Sequence, residues 1–151
     1  MTREEIIKHL ENTPWEQLAA EADDVRRQWV GEQVHIRGII EFSNYCCRNC
    51  LYCGLRRDNP DVERYRMSVE EVVDTAIQVD RKGIRTVVLQ SGDDMRYSGQ
   101  DIAHIIYGIK EACPDMAITL STGERSDEDY VFWRKAGADR YLLRHETANS
   151  D

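Results

Sequence analysis

The chain alternates two kinds of segment, and that alternation leaves few folds open. From residue 34 onward, short apolar runs rich in β-branched residues trade places with amphipathic stretches of helical period. "VHIRGIIEFSN" (34–44), "TVVLQSG" (86–92), "AITLSTG" (117–123) and "DRYLLRHET" (139–147) read as strands. Between them, "SVEEVVDTAIQVDRKG" opens with a capping box, Ser68 to Glu71. It carries Val69, Val72, Val73 and Ala76 as one stripe and stops at Gly83. "GQDIAHIIYGIKEAC" places Ile102, Ile105, Ile106 and Ile109 at i, i+3, i+4, i+7, and "SDEDYVFWRKAG" predicts a further helix with an acidic first turn. The order β-α-β-α-β-α-β implies an α/β fold of parallel strands with right-handed crossovers. A weak internal echo, "RKGIRTVVLQSG" against "RKAGADRYLLRH", fits a repeated βα unit.

Upstream, "TREEIIKHLEN" sets Ile6, Ile7 and Leu10 on one helical face. "TPWEQLAAEADDVRRQWVG" predicts a second helix with Thr13 as N-cap, Pro14 at its first position and Gly31 as its stop. The expected division is a helical cap over 1–33 and an α/β unit over 34–151. Two architectures share this alphabet, an open doubly wound sheet and a (β/α)₈ barrel. No G-x-G-x-x-G follows the first strand, so a dinucleotide fold has no support. A full barrel takes about 250 residues, and these 151 hold four strands. The expectation is therefore the first half of a barrel, with the fourth strand's outer edge unpaired.

Composition excludes some roles. With 41% hydrophobic and 32% charged residues the chain reads as folded, and a formal charge of −8 disfavours a nucleic-acid surface. No apolar run reaches membrane length, and "MTREEIIKHLEN" is not a secretory leader. Free, clustered cysteines without such a leader point to a reducing cytoplasm.

Four of the five cysteines stand in "CCRNCLYC" (46–53). That density does not suit a disulfide framework. Cys46, Cys50 and Cys53, spaced C-x₃-C-x₂-C, can bind three irons of a [4Fe–4S] cluster and leave the fourth iron open. A zinc clamp of all four thiols competes, but tetrahedral zinc usually takes two separated ligand pairs. Cys47, Cys50 and Cys53 are a second possible register, and the wider first gap favours Cys46. Cys113 reads as a buried apolar thiol.

The strand ends turn polar. In "LQSGDD" a glycine lets backbone approach a ligand and a carboxylate can pair with an ammonium, although an ordinary βα turn looks the same. In "TLSTGE", Thr119 and Ser121 alternate with apolar positions. In "LLRHET", Arg144 and Glu146 share a face by the strand period of two. An inward guanidinium forks a carboxylate and an inward Glu accepts from hydroxyls, but an exposed ion pair is the competing reading. His145 faces the other way. His35 and Arg37 read as structural, His9 and His104 as helix surface, and Trp15, Trp29 and Trp133 as packing residues.

C-x₃-C-x₂-C with Tyr52 before the last cysteine resembles the radical S-adenosylmethionine (SAM) enzymes. More narrowly, "IEFSNYC", "CLYCGLRRDN", "RYRMS", "VLQSG" and "AGADRYLLRHETAN" resemble the HydE family of [FeFe]-hydrogenase maturases, related to methylornithine synthase and biotin synthase. The resemblance runs from Val34 to Asn149 and continues weakly upstream. It implies a (β/α)₈ barrel, a [4Fe–4S] cluster on Cys46, Cys50 and Cys53, and SAM held by Tyr52, Ser91, Gly92, Asp93, Ser121 and Glu146. It implies substrate contact at Gln90, Thr119 and Arg144, and no catalytic residue separate from the cluster site. The implied reaction is reductive cleavage of SAM to a 5′-deoxyadenosyl radical. The implied partners are a small-molecule or organometallic iron substrate, an electron donor such as a ferredoxin or flavodoxin, and other hydrogenase maturation proteins. The alternatives are a methylornithine-synthase-like or biotin-synthase-like enzyme and, from another class, a non-catalytic iron–sulfur electron carrier. Two positions depart from the pattern: Cys47 stands where a polar residue is common, and Asp93 where Glu is frequent.

Overall fold

A computed structural model describes residues 1–145. The chain divides into two compact units, Met1–His35 and Ile36–Asp151.

The first unit is a pair of helices, α1 (Arg3–Asn12) and α2 (Trp15–Val30). Thr2 and Glu5 form a capping box that starts α1. Thr13 is not the N-cap of α2. It closes α1 instead, donating its N–H to His9 O and sharing a hydrogen bond with His9 Nδ1 at 3.1 Å. With that hydroxyl engaged, Pro14 stands at the N-cap with no side-chain hydrogen bond. A side-chain hydrogen bond, His9 Nε2 to Glu21 Oε2 at 2.8 Å, joins the two helices. Neither helix buries a residue. Trp15 and Trp29, expected to pack, are 76% and 77% exposed.

The second unit is a four-stranded parallel sheet in the order β1-β2-β3-β4: β1 (Gly38–Ser43), β2 (Thr86–Ser91), β3 (Ala117–Ser121) and β4 (Arg140–Tyr141). The crossovers are α3 (Val69–Arg81), α4 (Gly99–Ala112) and α5 (Asp127–Ala136). Ser68 and Ser98 each start a helix with a full capping box. Gly137, at φ 115°, ends α5 in a left-handed turn that suits glycine.

Alternation along the strands sorts two faces. Ile40 and Phe42, Val87 and Leu89, and Ile118 and Leu120 are buried, together with Val72 and Ala76 of α3, four isoleucines of α4 and Trp133 of α5. Each such side chain contributes about 1.5–3 kcal/mol by leaving water. The opposite face carries Ile39, Val88 and Thr119 in one row and Glu41, Gln90 and Ser121 in the next.

Two strands are shorter than the sequence suggests. Residues 34–37 precede β1 without strand pairing, and β4 keeps only two residues against β3. Beyond Tyr141 the pairing partner ends at Ser121, and a single hydrogen bond, Leu142 N–H to Leu120 O at 2.8 Å, prolongs the contact.

Candidate functional site

Most of the described candidate site residues lie at or just past the C-terminal ends of the strands, where parallel α/β folds bind ligands. β1 loses register with β2 between Glu41 and Ser43 and runs directly into the cysteine loop. Bulges recur at such rims because they re-aim the chain.

The loop presses onto the end of β2. Cys47 N–H donates to Asp93 O at 2.9 Å, and Cys46 Sγ accepts from the N–H groups of Asp93 and Arg48, each at 3.4 Å. This contact needs glycine at position 92. A Cβ there would stand 2.2 Å from Tyr45 O and 2.8 Å from Cys46 Cβ. Gly123, at φ +82°, plays the same part on the next strand, where a Cβ would meet the Asp93 carboxyl at 2.7 Å.

The two aspartates of "SGDD" do different jobs. Asp94 is buried and accepts from Ser43 Oγ (2.6 Å), Arg66 Nε (2.6 Å), Arg66 Nη2 (3.1 Å) and the Arg96 N–H (3.2 Å). Burial pushes its carboxyl up, but the bonds from Arg66, Ser43 and Arg96 outweigh that and hold it below the usual carboxylate range. Arg66 also stacks on Tyr45 at 3.5 Å. Asp93 is also buried, at 6% exposure. Its Oδ2 accepts from Arg48 Nε at 2.7 Å, while Oδ1 has no hydrogen-bond partner among the described residues. A buried carboxylate oxygen left unpaired is costly, so this one marks a place for a donor.

Asp93 lines a cavity of about 340 Å³ that brings together five expected residues, Cys50, Ser91, Asp93, Ser121 and Arg144. Arg48 and Glu124 line it too, joined at 2.9 Å, and the sequence reading passed over both. Gln90 faces a neighbouring cavity of about 280 Å³ with Glu41, whose Oε1 accepts from Gln90 Nε2 at 3.2 Å. Ser91 lines both cavities. Thr119 lines neither of the two, and Tyr52 is 72% exposed on the loop. Glu146 lies outside the described residues.

All five cysteines are free thiols. Cys113 is buried, and burial pushes its thiol up, as expected of an apolar thiol. Cys47 is pushed up as well, first by burial and then by the neighbouring Asp93 carboxylate. Among the described residues no three His, Cys, Asp or Glu side chains gather closely enough to hold one metal ion. A cluster makes a different demand, because its three thiolates bind three separate irons. Three soft thiols on one loop are a donor set of the kind a [4Fe–4S] group takes.

Strand order, loop placement and donor set define a class. The sequence pattern of the radical SAM superfamily matches residues 40–151, and the chain belongs to that superfamily. Within it, the chain is similar to the [FeFe] hydrogenase maturase subunit HydE of Thermotoga maritima, at 56% identity over 128 residues, covering 85% of this chain and 36% of that protein. It is 31% identical over 114 residues to the FO synthase of Streptomyces coelicolor, covering 74% of this chain and 13% of that one. The crystal structure of methylornithine synthase (PylB) superposes with a TM-score of 0.81 at 25% identity, over 93% of this chain and 42% of that one. The chain thus spans about a third of the length of the maturase it resembles. No helix among the described residues is long and apolar enough to cross a membrane.

Proposed function

We propose that this chain holds a [4Fe–4S] cluster on Cys46, Cys50 and Cys53, places SAM beside it, and serves maturation of the [FeFe]-hydrogenase active-site cluster. When bound and reduced, the cluster supplies the electron that cleaves SAM into methionine and a 5′-deoxyadenosyl radical. The chain's own residues do the rest. Asp93 offers its unpaired oxygen to the methionyl ammonium. Gly92 lets the loop lie against β2, and Ser91 and Ser121 give hydroxyls to the same cavity. Tyr52 flanks the last thiol, and Glu146 accepts from the ribose. Arg144 at the cavity mouth, with Gln90 and Thr119 on the open face, meets the substrate, an organometallic iron species or small molecule. A barrel wall over that face would exclude water and hold the radical's target close. A ferredoxin or flavodoxin as electron donor, other maturation proteins as partners, and a cytoplasmic setting complete the proposal.

The observation that carries it is the contact of cysteine loop and Asp93, a residue that lines the same cavity as Cys50, gives its N–H to the Cys46 thiol and keeps one buried carboxylate oxygen unpaired among the described residues. Anaerobic reconstitution followed by iron and sulfide analysis tests it, with about four of each per chain expected. The PylB likeness favours a second reading, a mutase acting on an amino acid. A methylornithine assay separates the two.

A further inference from the structure

One side chain closes the cysteine loop at its base. Past the loop the chain returns alongside β1. Met67 N–H donates to Phe42 O at 2.8 Å, Tyr65 N–H to Asn44 Oδ1 at 2.8 Å and Asn44 Nδ2 to Glu63 O at 2.7 Å. Ser43 and Arg66 form an antiparallel bridge. Within this short ladder the Arg64 guanidinium points back into the loop. It donates to Asn44 O, to Leu55 O at 3.0 Å and to Arg56 O at 2.7 Å. Asn44 precedes Cys46, while Leu55 and Arg56 follow Cys53. A single planar group therefore ties together both ends of the segment that carries all three thiols.

We infer that Arg64 is the positioning residue of the cysteine loop, fixing the span from Asn44 to Arg56 over which Cys46, Cys50 and Cys53 meet their ligand. The ligand rests on the cluster reading above. The closure of the loop does not. Guanidinium suits the task because its donors fan out in one rigid plane and it cannot be neutralised. Three acceptors lying on two stretches of backbone are within reach of such a fork, whereas a lysine ammonium is a point charge on a flexible stem. A loop closed beforehand loses less freedom when it binds, so closure appears as slower ligand loss.

The test compares the 151-residue chain with Arg64→Lys, Arg64→Met and, as a charge control in the same loop, Arg57→Gln. Among the described residues the Arg57 side chain pairs only with exposed Asp58. Two measurements are made: hydrogen exchange over residues 45–56 without metal, and the rate of iron loss to a chelator after anaerobic reconstitution. Both Arg64 variants are expected to exchange the loop amides about tenfold faster or more, with β2 and β3 unchanged. They lose iron faster by a similar factor, and Arg57→Gln matches the parent in both. Methionine keeps the stem and removes all three hydrogen bonds, so it guards against a lysine that regains one. Parent-like loop exchange in Arg64→Met overturns the closure. Faster exchange with parent-like iron loss overturns the positioning role. Loosening of the whole sheet assigns Arg64 to general stability and overturns the proposal. A parent chain that takes up no iron, with the exchange difference intact, sinks the cluster reading and leaves the closure standing.

Discussion

Arg48 and Asp93 are joined by a 2.7 Å ion pair that crosses from the cysteine loop to the end of β2, and it engages only one oxygen of the aspartate. The pairing does two things. It fastens the loop to the sheet, and it holds in place a buried carboxylate of a residue that lines the same cavity as Cys50. Arg48 itself is half exposed and also reaches Glu124. An ion pair with so exposed a partner gains little by electrostatics alone, so its contribution here is geometric.

Asp93→Asn keeps the shape of that group and removes its charge. A lost charged acceptor costs about 1.5–3 kcal/mol, or about 10- to 150-fold in Kd. Calorimetry of SAM binding to the reconstituted chain should show a loss of that size, and an unchanged affinity would remove Asp93 from the cofactor site.

Cys46→Ser should abolish or severely weaken iron retention, whereas Cys47→Ser should keep it. Cys46 Sγ accepts two backbone N–H groups, from Arg48 and Asp93, which hold it at the end of β2. Iron analysis of the two variants after identical anaerobic reconstitution decides the register, and the reverse pattern would make Cys47 the ligand.

Gly92→Ala places a Cβ 2.2 Å from Tyr45 O, which is backbone and cannot swing aside. The loop must lift off β2, at a cost of about 1–3 kcal/mol by analogy with other overpacked sites. The expected result is impaired cluster uptake with far-ultraviolet circular dichroism close to the parent's. Full uptake would mean that the close approach does not matter.

Asp94 gives a pH prediction. Its folded pKa lies below its ordinary value of 3.8, so its contribution to stability is complete well above that pH. It fades as pH falls through the lowered folded value. Asp94→Asn should cost about 3 kcal/mol at pH 7, as expected when one partner leaves a buried pair. The gap between variant and parent should narrow as pH approaches 3. Thermal melts across that range measure it, and a constant gap would contradict the assignment.

Much of this was legible in the sequence, for physical reasons that can be named. The box at Ser68 and the isoleucine stripe of α4 are local patterns, and they set the helices. The order of elements then fixed the sheet, because parallel strands permit few connections. Misses occurred where tertiary partners decide. Thr13 looked like a cap for α2, but its hydroxyl found His9. The fourth strand looked long, but its pairing with β3 stops at Tyr141, opposite Leu120. The roles of Arg48, Arg64 and Arg66 were invisible. An arginine's charge shows in sequence, while the carbonyls or carboxylates it reaches depend on how loops from three strands meet. The sequence reading chose Asp93 and assigned nothing to Asp94, and only the structure shows that Asp94 is the fully paired aspartate while Asp93 keeps an oxygen unpaired among the described residues.

The central claim is a cluster with one iron open to SAM. Electron paramagnetic resonance of the anaerobically reconstituted, reduced chain tests it most directly, recorded with and without SAM. The account predicts a [4Fe–4S]⁺ signal whose line shape changes when SAM is added, and that loses this response in Asp93→Asn. Stoichiometric zinc with no iron after anaerobic purification would contradict it, as would an iron signal indifferent to SAM in the parent chain.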